Sequence, residues 1–324
     1  MFLAADIGGT KTLIALGDQG GIRYQRRILN DDYAGPSALI AAFLLEAKAA
    51  GLPAEAERSC LALAGPVSPA GRNARLTNRP WEIDAEELTR TLPLGPVSLL
   101  NDFAASAAGV TTLLPEECLI LQAGEAEPAA PTLVLGPGTG LGVAARLPGP
   151  GGVGSILASE GGHVGYAAAN LEQQAFLGFL AERHGRVTVE RIVSGPGLVE
   201  CHRFCSRKAG GDWPPITPAE ITRQALDGSD PVSAHALDLF LAIFGAFAGD
   251  MALCFLSRGG VFLVGGIVAK ILPRLITGPF LAAFNDKAEH ARLAAAMPIV
   301  AVRSEDLALR GALATACRAI ANTP

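Results

Sequence analysis

Asp6-Ile7-Gly8-Gly9-Thr10-Lys11-Thr12 lies between two apolar runs, Phe2 to Ala5 and Leu13 to Leu16. That pattern dictates two strands joined by a tight polar turn. The turn offers glycines that let a backbone approach an anion closely, hydroxyls that donate hydrogen bonds, and an acid suited to magnesium. A phosphate-contacting hairpin is the functional reading, although a motif of this kind taken alone is more often an ordinary glycine turn. A Walker loop is excluded, because the chain contains no Gly-Lys dipeptide.

Outward from this hairpin the chain alternates strands and helices. Gly20-Gly21 turns into a third strand, residues 37–50 have a helical pattern stopped by Gly51 and Pro53, and residues 59–64 form another short apolar strand. Val97 to Leu100 reads as a strand that delivers Asn101-Asp102 to the start of a helix-compatible run, Phe103 to Ala108. A second strand-turn-strand pattern follows over residues 132–145, around Gly136-Pro137-Gly138-Thr139-Gly140. Its likeness to the first suggests an internal duplication, and its unblocked amides form a candidate second anion nest. Val261 to Val264 is a buried-strand candidate leading into Gly265-Gly266, and residues 306–321 read as a closing amphipathic helix.

With 324 residues, the chain exceeds the size at which one core keeps growing, so two lobes with a cleft between them are expected. Hydrophobic residues make up 50% and charged residues 18%, which excludes an intrinsically disordered chain. The longest apolar stretch, Leu239 to Gly249, is bounded by Asp238 and Asp250 and reads as a buried helix too short to cross a bilayer. A formal charge of -5 offers no overall attraction to nucleic acid or an anionic membrane, and neither partner is expected. The Arg23, Arg26 and Arg27 cluster reads as a solvated surface. Six scattered cysteines without a CxxC pair suit reduced thiols, and Cys201, His202 and Cys205 fit a helix face better than a metal site. No targeting pattern opens the sequence, so a cytoplasmic location is expected. Residues 149–154 match a GxGxxG spacing but carry a proline and open no helix, which removes the dinucleotide reading.

The ordered series is more specific than any one motif: DIGGTKT at residues 6–12, LLNDFAA at 99–105, LGPGTGLG at 135–142, SEGGH at 159–163, VERIVSGPGL at 189–198 and LVGGIV at 263–268. In that order it resembles the bacterial glucokinase family, from about Phe2 to the end. The resemblance implies an actin-like ATPase (ribonuclease H-like) fold with duplicated α/β domains. It divides the chain into a small domain over residues 1–103, to which a C-terminal helix at 306–324 returns, and a large domain over 104–305. The implied activity is transfer of the terminal phosphoryl group of ATP to the 6-hydroxyl of glucose, with Mg2+ as cofactor and a homodimer as the assembly.

Residue by residue, Asp102 matches the family's catalytic base, and Asn101, Glu160, His163 and Glu190 match ligands of the sugar hydroxyls. Asn78, in Thr77-Asn78-Arg79-Pro80-Trp81, matches a loop near that sugar. Gly8, Gly9, Thr10, Lys11 and Thr12, with Gly138, Thr139 and Gly140, are assigned to the phosphates. Gly265, Gly266 and Ile267 are assigned to the adenosine, and Asp6 to magnesium, directly or through water. The chain departs from many relatives at Gly165 and Lys11, neither of them an assigned catalytic position. Kinases of another hexose or an N-acetylated amino sugar, a non-enzymatic sugar sensor and a chaperone-type ATPase are the competing functions.

Overall fold

The structure is a computed structural model that describes residues 1–149, 154–211 and 215–318. The chain divides into two compact units, Met1–Leu114 joined by the segment beginning at Glu305, and Pro115–Ser304.

In the first unit, β1 (Phe2–Ile7), β2 (Lys11–Asp18) and β3 (Gly21–Leu29) form an antiparallel meander. Helix α1 (Pro36–Ala49) crosses to β4 (Arg58–Leu63), which pairs parallel with β1. A short ribbon, β5 (Asn73–Arg75) with β6 (Glu82–Asp84), presents the turn that holds Asn78. Asp84 then caps α2 (Ala85–Thr91) by accepting the Glu86 and Glu87 amides. Strand β7 (Val97–Asn101) pairs parallel with β4 and runs directly into α3 (Asp102–Gly109), so the sheet order is β3-β2-β1-β4-β7.

Strand β1 is apolar at nearly every position because both sheet faces are covered. Leu3, Ala5 and Ile7 pack on one side with Ile40 and Phe43 of α1, while Phe2 and Ala4 belong to a separate cluster on the other. That division follows the two-residue period of a strand. On β3, Arg23 pairs with Asp18, Arg26 with Glu46 and Arg27 with Glu305, all at exposed positions, as the solvated-surface reading requires.

The second unit repeats the strand order. Strand β8 (Cys118–Gln122) precedes β9 (Thr132–Pro137), β10 (Leu141–Leu147) and β11 (Ser155–Ser159). Helices α4 (Leu171–His184), α5 (Gly195–Lys208), α6 (Pro218–Asp227) and α7 (Pro231–Phe255) lead to β12 (Gly260–Leu263). Helices α8 (Gly266–Thr277), α9 (Phe280–Asn285) and α10 (Ala291–Ala296) then lead to β13 (Ile299–Val302). The order β11-β10-β9-β12-β13 reproduces β3-β2-β1-β4-β7, antiparallel and parallel pairings included, with β8 added beside β13. This is the duplication that the two hairpins suggest.

Helix α7 is longer than the apolar run Leu239 to Gly249 that marks it, because Asp230 caps it and Pro231 starts it two turns earlier. By length and composition alone it could cross a membrane. Its apolar face instead builds the core, with Phe240 and Phe244 fully buried and Phe244 meeting Phe280 of α9 at 5.1 Å between ring centroids. Cys201 and Cys205 lie buried on α5, and no cluster of three or more metal-type ligands occurs among the described residues.

The closing helix, α11 (Leu307–Arg318), returns to the first unit. Ala308, Leu309, Ala312, Leu313 and Ala316 pack against Phe2, Ala4, Leu13, Ala15, Cys60, Ala62 and Ala105. Gly311 faces the Ala105 carbonyl of α3 so closely that a Cβ there would overlap it. The expected helix extends to residue 324; its residues 319–324 lie outside the described residues.

Candidate active site

The hairpin between β1 and β2 closes at the Ile7–Thr12 pair, with the Gly8 amide donating to the Lys11 carbonyl at 3.1 Å. Gly8 and Gly9 are partly buried, while Thr10 and Lys11 are exposed at the tip. Thr12 is different. It is fully buried, and its hydroxyl donates to Asn30 Oδ1 at 2.7 Å. Thr12, assigned to the phosphates, thus spends its hydroxyl on Asn30, because strand alternation turns Lys11 outward and Thr12 inward.

Asp6, at the base of this hairpin, has its pKa raised to about 7. Burial is the main cause and the charge of Asp102 adds to it, while Lys11 pulls the other way. Asp6 and Asp102 thus interact electrostatically within one unit, although 96 positions apart in sequence. Asp102 is the first residue of α3 and is partly buried. One of its oxygens accepts the Phe103 amide at 2.9 Å.

Asn101 is the N-cap of α3, its Oδ1 accepting the amides of Phe103 at 2.9 Å and Ala104 at 3.3 Å. The capping alternative open to the Asn-Asp pair is therefore realised at Asn101. Only its Nδ2, 3.5 Å from the Gly65 carbonyl, is left to face a ligand. Asn78 is exposed next to the hairpin; a Cβ built on Gly9 would lie 3.4 Å from Asn78 Cβ. Its neighbour Arg79 stacks over Trp81, 4.5 Å from the ring centroid, and donates to the Gly9 carbonyl at 3.2 Å and to Asp31 at 2.7 Å.

In the second unit, the turn between β9 and β10 holds Gly138, Thr139 and Gly140, with the Gly138 amide donating to the Gly140 carbonyl at 2.7 Å. Thr139 is exposed at the tip. Two helix starts flank this turn. Ser194 caps α5, and the Gly195 amide donates to the Gly138 carbonyl at 2.9 Å. Gly265, with φ +99°, precedes α8, and a Cβ there would stand 3.3 Å from the Pro137 carbonyl. Gly266 is exposed and Ile267 partly so. The first amides of α5 are already taken within the protein, but α8 starts without a side-chain cap beside the glycine turn, and such a helix start suits an anionic ligand.

Glu190 follows Thr188, which bridges to Gly165, and it reaches the same turn. Its Oε2 accepts the Leu141 amide at 2.8 Å, and its Oε1 lies 3.7 Å from His163 Nε2. Glu160 is exposed one residue before the single helical turn Gly161–His163. Gly161 and Gly162 are buried there; a Cβ on Gly162 would collide with the Leu141 carbonyl, and one on Gly161 would be tight against Ser159 and Val143. The structure therefore groups Asp6, the first hairpin, Asn78, Asn101 and Asp102 in the first unit. It groups the second hairpin, Glu160, His163, Glu190 and Gly265 to Ile267 in the second.

Sequence reasoning missed Asn30, Arg79 and Ser194. Arg79 adjoins a quoted residue and Ser194 lies inside a quoted motif, so a signal existed for both. Asn30 stands outside every motif.

Known proteins provide an independent comparison. A family model described as Glucokinase matches residues 3–319. A glucokinase of a Nostoc species is 35% identical over 345 residues, covering 98% of this chain and 99% of that protein. One from Mesorhizobium japonicum is 41% identical over 263 residues, covering 79% and 74%. The crystal structure of a glucokinase from an Antarctic psychrotroph superposes with a TM-score of 0.85 at 28% identity, covering 97% of this chain and 98% of that one.

Proposed function

The chain belongs to the glucokinase family and has the actin-like ATPase fold of sugar kinases, and from that premise we propose that it transfers the terminal phosphoryl group of ATP to the 6-hydroxyl of glucose. The observation that carries the reading is one of register: Ile7, Leu63 and Asn101 lie in one row across β1, β4 and β7, so the glycine hairpin that follows Ile7 and Asp102 that follows Asn101 leave the same end of one sheet. An acid beside a phosphate cradle is the minimal arrangement for activating a hydroxyl toward a phosphoryl group.

In the reaction, Asp102 accepts the proton of the 6-hydroxyl while that oxygen bonds to the terminal phosphorus. The bond to the bridging oxygen breaks, and ADP leaves with the electron pair. Amides of the two hairpins hold the phosphates, and the turn at Gly265 to Ile267 receives the adenosine. Glu160, His163 and Glu190, with Asn101 through its Nδ2 and Asn78, fix the sugar hydroxyls. A polyol needs several such partners, and an epimer leaves some of them unpaired.

Magnesium fits the first hairpin. Asp6 is a desolvated carboxyl whose ionised form a cation would restore. Because no three-ligand cluster exists among the described residues, the phosphates and water would complete its shell, as is usual for this ion. The metal supplies neutralisation of phosphate charge. Family resemblance supports a cytoplasmic homodimer.

The test is glucose-dependent ADP formation with Mg-ATP, run on the native chain and on Asp102→Ala across a panel of hexoses. Activity highest on glucose and lost in the variant is the expected result. A higher kcat/KM on another hexose or an N-acetylated amino sugar would move the assignment to that sugar. Inertness on every sugar would overturn it.

A further inference from the structure

The carbonyls of Gly8, Gly9 and Thr10 each receive a donor from outside the hairpin. Asn30 Nδ2 donates to Gly8 at 2.8 Å, Arg79 Nη1 to Gly9 at 3.2 Å, and the Asn30 amide to Thr10 at 2.9 Å. We infer that Asn30, assisted by Thr12 and Arg79, is a positioning residue that aims the amides of the first hairpin at the nucleotide phosphates. The inference rests on the ATP-dependent reading given above and deepens it.

A peptide unit is planar, with its C=O and N–H antiparallel, so fixing the carbonyl of one residue fixes the direction of the next residue's amide. Donors on Gly8, Gly9 and Thr10 therefore orient the amides of Gly9 and Lys11 away from Asn30 and the amide of Thr10 away from Arg79. The Gly9 and Thr10 amides donate to no described residue. Successive amides presented in this way form an anion nest.

Asn30 is built for this task. It is fully buried, and its Oδ1 is held by the Thr12 hydroxyl at 2.7 Å, which fixes which end of the amide faces Gly8. Arg79 is in turn braced by Asp31 and Trp81. The donors come from 20 or more positions away from the carbonyls they hold, so a turn that glycines leave pliable is stiffened from behind.

The experiment compares the native chain with Asn30→Ala, Thr12→Val and Thr12→Ser. It measures kcat, the KM for ATP and for glucose, Mg-ATP binding by calorimetry, and the Tm of each ligand-free protein. Asn30→Ala should lose kcat/KM for ATP on the order of tenfold to a hundredfold, with glucose KM unchanged within about twofold. Thr12→Val, nearly isosteric but without the donor, should shift the same way by a smaller factor, and Thr12→Ser should restore native values. Should Asn30→Ala not fold, the Thr12 pair decides. A lowered Tm with unaltered ATP parameters in Thr12→Val would make the clamp merely structural and overturn the inference while leaving the kinase reading intact. A native chain that neither binds Mg-ATP nor phosphorylates any sugar would overturn that reading, and this inference with it.

Discussion

Glu190 accepts the amide of Leu141 at 2.8 Å through one carboxylate oxygen, while the other lies 3.7 Å from His163 Nε2. One side chain thus holds the first residue of β10, just past the second hairpin, and stands beside a proposed sugar ligand.

Two substitutions separate these duties. Glu190→Gln keeps an acceptor for the Leu141 amide, so its Tm should stay near native while kcat/KM for glucose falls. Glu190→Ala also strands an amide in a buried stretch, which costs about 1–3 kcal/mol. Thermal unfolding beside steady-state kinetics checks both, and equal instability of the two variants would refute the division.

Asp102→Asn should lower kcat by about 10²–10⁴-fold, the usual worth of a positioned base. Its side chain still offers an oxygen to the Phe103 amide, so α3 should remain intact. Circular dichroism and glucose KM close to native, alongside the fall in kcat, would separate lost chemistry from lost structure.

Asp6 gives the ligand-free protein a particular pH dependence. Folded, the carboxyl keeps its proton up to about 7, whereas the unfolded chain releases it near 3.8. Between these values the folded state binds more protons, so the Asp6 contribution to stability declines as pH rises through that window and is level above it. Acids held low, such as Asp230, slope the other way at lower pH. The readout is therefore the difference in urea midpoint between native and Asp6→Asn, which should widen in favour of the variant from acid to neutral pH. A constant difference would contradict the shift.

Gly311→Ala should destabilise the protein by about 1–3 kcal/mol, since a methyl group there overlaps the Ala105 carbonyl and α11 must move away from α3. Because α3 begins with Asp102, kcat should fall as well. Chemical denaturation with parallel assays tests the pairing of these two losses.

Much of this arrangement was legible in the sequence where the signal is local. The hairpin at Asp6 to Thr12 and the strand-to-helix junction at Asn101-Asp102 follow from apolar runs broken by glycine or a capping residue. The duplicated sheet was visible only as two similar hairpins, because strand order depends on pairings between distant segments. The direction of Thr12 is legible in the alternation along β2, whereas the partner of its hydroxyl, 18 positions on, is not. Asn30 was invisible for a different reason: its partners lie 18 and 22 positions back in the chain, and an isolated asparagine carries no period or spacing. The start of α7 at Pro231 was obscured by the polar residues of its first two turns.

Helix α11 imposes an order on biosynthesis. All five strands of the first sheet have been translated by residue 101, yet the cluster that holds Phe2, Ala4, Leu13 and Ala15 is completed by Ala308, Leu309, Ala312, Leu313 and Ala316 of α11. The intervening stretch of roughly 200 residues leaves the ribosome over about 10–40 s at ordinary elongation rates. The second unit, by contrast, is one continuous stretch, Pro115–Ser304. The unit encoded first is therefore the one whose core is completed last, when the final helix of the chain has been made.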